Sequence, residues 1–197
     1  MENGQWTILK KTFIAFILLS IIISCGRTVT PKPMAYYRID FPEKKYQKYQ
    51  GEYPFEFEYP VYTNIQIRKH GGDSCWFDII LPRYNGQIHI TYRNINANRD
   101  ALLEDSRSLA YKHTVKADAI HEMAYVNDTT KVYGILYDIK GNTASSVQFY
   151  ITDSSAHFMR GALYFNVIPN KDSLAPVIEF FRKDILHLIE TLHWKKK

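Results

Sequence analysis

His70-Gly71-Gly72-Asp73-Ser74-Cys75 sets a glycine-flanked serine beside an aspartate, and Asp184-Ile185-Leu186-His187 follows far downstream. A serine hydroxyl becomes a useful nucleophile when a histidine takes its proton and a carboxylate orients that histidine. The two stretches hold one of each, so the chemistry they could do is acyl transfer, with Ser74 attacking and His187 and Asp184 in support. That chemistry also needs backbone N–H donors aimed at the oxyanion. Whether the residues meet depends on the elements that carry them.

Those elements can be read from periodicity. Phe55, Phe57 and Tyr59 alternate with Glu56 and Glu58, the pattern of a half-buried strand, and Ile65-Gln66-Ile67 is a second. Cys75 to Leu81 and Gln87 to Tyr92 flank Tyr84-Asn85-Gly86, a strong hairpin signal. In the second arm Ile88, Ile90 and Tyr92 share one face, which leaves His89 on the wetter face. A helix is expected from about Asn98 to Lys116, carrying Leu102, Leu109, Ala110, His113 and Ala117. Strands follow at His121–Val126, Lys131–Ile139, Ala144–Ile151 and His157–Ile168, joined by polar turns. The last helix carries a stripe of Leu174, Val177, Ile178, Phe181, Ile185, Leu188, Ile189 and Leu192. Ser173 or Asp172 suits its cap, and Pro176 its first turn. The fold class is α+β, an antiparallel β-sheet with two main helices packed on it.

This order does not suit a serine hydrolase. The opening stretch resembles the nucleophile block of the GDS-type esterases, in which the serine follows a buried parallel strand and opens a helix. Here Ser74 leaves a turn-like segment and enters a strand, and Asp184 and His187 lie inside the last helix, off its apolar stripe. Three residues apart, they are expected to be surface neighbours. His121-Glu122-Met123-Ala124-Tyr125 starts like a zinc motif but lacks the second histidine. No catalytic residue, metal site or cofactor is expected. Fifteen tyrosines and eleven phenylalanines could stack on sugars or lipids, but at period two they belong to a core. A glycan- or lipid-binding module remains the alternative beside the Ser74 esterase.

The N-terminus carries a different chemistry. Lys10-Lys11 precede an uncharged run of 13 residues, Thr12 to Ser24, and then Cys25 and Gly26. A basic start and a short apolar stretch read as an export signal, and roughly 20 apolar residues are needed to span a bilayer. Ile22-Ile23-Ser24-Cys25 resembles the bacterial lipobox, so cleavage is expected between Ser24 and Cys25, with Cys25 acylated (palmitate among its chains). Residues 1–24 are then a lipoprotein signal peptide, 25–45 the lipidated cysteine and tether, and 46–197 a single α+β domain. Losing Glu2, Lys10 and Lys11 takes the formal charge from +5 to +4. With no basic cluster interleaved with aromatics, no nucleic-acid partner is expected. Cys75 is then the sole remaining thiol and reads as a buried core residue. Gly26 to Asp40 is 15 residues, a reach of roughly 50 Å when extended. Tyr36, Tyr37 and Arg38 within it are the candidate partner-binding residues.

Several stretches taken together resemble the gliding-motility lipoprotein GldD family. They are Pro31-Lys32-Pro33, the run from Tyr37 to Tyr46, Tyr111 to Asp118, Gln148 to Ser154, Gly161 to Phe165 and Glu190 to Trp194. The resemblance implies an envelope lipoprotein needed for gliding and tied to the type IX secretion machinery, without assigned catalytic residues. Its implied partners are the membrane, through the N-terminal lipid, together with other gliding lipoproteins and secretion-machinery proteins. By analogy with lipoprotein sorting, its implied place is the outer membrane, facing the periplasm. The strand–helix–strand–helix order is also similar to the PsbP/Mog1-like fold.

Overall fold

The computed structural model describes residues 38–68 and 74–195, and Phe13. The chain divides into units 1–37 and 38–197. The second unit carries β1 (Tyr46–Tyr49), β2 (Phe55–Pro60), β3 (Asn64–Arg68), β4 (Ser74–Leu81), β5 (Gly86–Asn94) and α1 (Arg99–Tyr111). Then come β6 (Ala117–Asn127), β7 (Val132–Gly141), β8 (Ser145–Thr152), β9 (His157–Phe165), α2 (Lys171–Thr191) and β10 (His193–Trp194). Every ladder among the described strands is antiparallel. The class is α+β, as the periodicity requires.

Seven strands form the main sheet, in the order β3-β4-β5-β9-β8-β7-β6. In a separate small sheet, β1-β2-β10, only β2 has a counterpart in the sequence pattern, the alternation of Phe55, Phe57 and Tyr59. Its outer strands span 4 and 2 residues, too short to show an alternation of their own. What places β10 is Trp194, whose ring stacks on His157 at 5.0 Å while its indole N–H donates to the Lys131 carbonyl.

The small sheet and α2 share one face of the main sheet. Phe55, Phe57 and Tyr49 stack on Phe77 of β4, with centroids 5.8 to 5.9 Å apart. Phe181, Ile185, Leu188 and Ile189 of α2 close the same core. Phe55, Phe77 and Phe181 are wholly buried, each contributing on the order of 1.5–3 kcal/mol. In β9, Gly161 leaves room for Phe149, because a Cβ there would fall 2.3 Å from that ring. The period-two aromatics are core, and Cys75 is buried among them as a free thiol.

The other face is covered in part. α1 buries Leu102, Ser106 and Ala110, and Ala110 meets Tyr137 and Ile139 of β7. Leu109, expected on the buried stripe, is more than a third exposed. The helix stops at Tyr111 rather than Lys116, and Lys112–Val115 tighten into a 3-10 turn. Thr114 donates its hydroxyl to the Tyr111 carbonyl, one of the local bonds by which such residues compete with a helix. β6 therefore begins at Ala117, ahead of the expected His121. The Asn85 turn holds, with Asn85 itself left-handed at φ 46 after a 3-10 turn, Pro82–Tyr84. At α2 the cap is Asn170, whose side chain accepts from the Ser173 N–H; Ser173 is the donor and not the cap.

Candidate functional site

Of the residues singled out in the sequence, Ser24, Cys25, Tyr36 and Tyr37 lie outside the described residues, as do His70 to Asp73. Arg38 is described, exposed, and paired with Asp40 at 3.1 Å. Ser74 opens β4 and shares a face with Trp76 and Asp78, because strand side chains alternate. That face looks away from α2, since Phe77 and Ile79 are the residues in the core with Phe181 and Ile185. Asp184 and His187 therefore sit on the opposite side of the main sheet from Ser74.

The expectation that Asp184 and His187 are paired on the helix surface fails. Asp184 is 2% exposed. Its Oδ1 accepts from Lys44 Nζ at 2.7 Å and from the Tyr46 hydroxyl at 2.9 Å, and its Oδ2 accepts from the Tyr62 hydroxyl at 2.8 Å. Lys44 also donates to the Phe180 carbonyl and lies 3.3 Å from the centroid of the Phe180 ring. His187 instead pairs with Glu58 of β2 at 2.8 Å and stacks on Tyr46 at 3.6 Å. Phe41 stacks on Phe180 at 4.4 Å. The D-x-x-H is a latch: it clamps the segment from Phe41 through β1 and β2 onto α2.

The latch sets a response to alkali. Burial, reinforced by the Asp184 carboxylate, raises the pKa of Tyr46 and Tyr62, and burial raises that of Tyr137. A phenol whose folded pKa lies above its unfolded value of about 10 lends stability below that pH and loses it above. Burial lowers the Lys44 pKa, which has the opposite sign but acts only up to its unfolded value of about 10.4. Above that point the tyrosines dominate. With Tyr46, Tyr62 and Tyr137 held neutral, stability should fall by roughly 4 kcal/mol per pH unit at most from about pH 10.5 to 12. Urea unfolding across that range, with tyrosinate absorbance recorded in parallel, checks both slope and cause.

On the opposite face, the part of the sheet beyond α1 is open. Asp78, 2% exposed, lies between Arg68, whose Nη2 is 2.7 Å from Oδ2, and His89, whose Nδ1–H donates to Oδ1. The amide nitrogen of Gln87 donates to His89 Nε2 at 3.1 Å, so both ring nitrogens are engaged. Arg160 of β9 donates from Nη2 to Gln148 Oε1 at 2.7 Å. Arg68, Asp78, His89 and Arg160 border a cleft of about 400 Å³. Alternation along β5 puts His89 on the wetter face, but sequence reasoning missed Asp78 and Arg160. The available signal was a lone acid between Phe77 and Ile79. Among the described residues, no group of three or more His, Cys, Asp or Glu is placed to hold a metal ion.

Fold and site together define an antiparallel α+β domain whose polar clusters are a latch on one face and an open cleft on the other. The chain belongs to the gliding motility lipoprotein GldD family, whose pattern matches residues 26–194. It is thus a gliding-motility lipoprotein, associated with the cell envelope. No curated protein matches the chain.

Proposed function

We propose that the protein is a non-catalytic, membrane-tethered component that binds and stabilises other parts of the gliding and type IX secretion apparatus. Family membership over residues 26–194 carries the reading. Residues 1–24 act as the leader, Cys25 carries the acyl chains, and the segment after it is the tether. The anchor sits in the outer membrane facing the periplasm. Confinement to that plane raises the effective concentration of any partner held at the same membrane. Tyr36, Tyr37 and Arg38 are the residues that meet the partner, since aromatics and arginine are common interface anchors. Against the esterase alternative stands the placement of Ser74, with Asp184 and His187 engaged by other residues.

The reading is tested in cells with a photo-crosslinking residue at Tyr36 or Tyr37. Adducts with other motility or secretion components are expected, and adducts with lipid or glycan alone would replace the scaffold reading. In parallel, Ser74→Ala should glide like wild type at equal protein level. Loss of gliding by a normally folded Ser74→Ala protein would bring back the esterase.

A further inference from the structure

The open face holds a donor-rich depression, and its makeup comes from strand register. His89 of β5, Ala162 of β9 and Gln148 of β8 lie side by side in one row. Thr91, Arg160 and Tyr150 form the next row. Those side chains share a face, and Ala162, with one carbon, leaves a hollow between longer neighbours. Trp76 and Tyr164 flank the hollow as aromatic walls, and Trp76 is 37% exposed.

Charge in the cleft is unbalanced. Two guanidiniums, Arg68 and Arg160, face one carboxylate, Asp78, which already serves both Arg68 and His89. Arg160 has no carboxylate within ion-pair distance among the described residues; its one hydrogen bond there is to neutral Gln148. A guanidinium offers five N–H donors, so most of its capacity is unspent. The Gln148 amide nitrogen beside it is buried and has no acceptor among the described residues. Burial pushes the Arg160 pKa down, the mark of a cation desolvated without a compensating anion. Donors in excess around a hollow of ligand size are what a bound acceptor corrects.

We propose that the cleft is a binding site for an anionic sugar: its carboxylate or phosphate pairs with Arg160, and its ring lies against Trp76. A planar guanidinium chelates either oxyanion through two parallel N–H bonds. The neighbouring indole and phenol offer flat apolar faces to the C–H side of a sugar ring. His89, held through both nitrogens, is a wall and not a proton-transfer group. The site lies on the face of the sheet away from the latch.

Isothermal titration of the full chain in neutral detergent, at matched ionic strength, tests the site with three probes. They are glucuronate, glucose 6-phosphate and glucose. At least one anionic sugar should bind with one-to-one stoichiometry, and glucose at least about tenfold more weakly. Binding of glucuronate alone assigns a carboxylate ligand, and of glucose 6-phosphate alone a phosphate ligand. Arg160→Lys should weaken the anion by about tenfold or more, since an ammonium cannot chelate. Trp76→Ala, at a part-exposed position, should weaken it severalfold. It carries the test if Arg160→Lys does not fold. Equal binding of all three sugars, no binding of either anion, or anion binding untouched by both substitutions overturns the proposal.

Discussion

Asp184→Asn should destabilise the domain by about 3–5 kcal/mol, the usual cost of removing one partner from a buried ion pair. In a domain of this size that lowers the melting temperature by roughly 6–20 °C. Three donors converge on the carboxylate: Lys44 Nζ and the hydroxyls of Tyr46 and Tyr62. An asparagine keeps the shape but has a single acceptor oxygen, and its NH2 group would face donors. The ammonium of Lys44 would then sit over the Phe180 ring with the Phe180 carbonyl as its main acceptor. Lys44→Met should cost less, about 1–3 kcal/mol, because two phenols still satisfy Asp184. In the double variant Lys44→Met with Asp184→Leu, only part of the Asp184→Asn loss should be recovered, since an apolar pair can replace a buried ion pair but leaves the Tyr46 and Tyr62 hydroxyls without this acceptor. Denaturant unfolding of all three measures this, and a change under about 1 kcal/mol for Asp184→Asn would show that the latch does not hold the segment.

The same aspartate shows where sequence reading stops. The helix carrying it is legible: its apolar residues recur at steps of three and four, and Val177, Phe181, Ile185, Leu188 and Ile189 are buried as expected. Charge alone assigns Asp184 to solvent. It is buried because a segment some 140 positions earlier in the chain folds across the helix, and helical spacing contains no information about that segment. Lys44 and Tyr46 are equally hidden, lying at a short strand whose pairing with β2 is long-range. By contrast, the β4–β5 hairpin needs only local signals, Asn85-Gly86 between alternating strands, and its register follows the turn. The open cleft falls between these cases. His89 is placed correctly by alternation within one strand, whereas its partner Asp78 requires the register between two strands. Arg160 and Gln148 require that of two more, β9 and β8.

Cys25→Ala should separate anchoring from folding. Acylation buries hydrocarbon at about 0.8 kcal/mol per CH2, so several chains hold a protein durably where one chain holds it marginally. Alanine has no thiol to acylate, and Cys75 cannot substitute because it is wholly buried and its pKa is raised by burial. The variant should leave the membrane fraction or persist as uncleaved precursor, and cells should lose gliding. Its unfolding midpoint should match wild type, since the described latch begins at Phe41, well beyond residue 25. Asp184→Asn gives the converse pattern, with acylation intact and a weakened body. Membrane fractionation, intact-mass measurement and a gliding assay on the two variants distinguish loss of location from loss of structure. A Cys25→Ala protein that stays in the membrane fraction and supports normal gliding would show that acyl confinement is not what the apparatus draws on. The contacts of the folded domain alone would then have to account for its role.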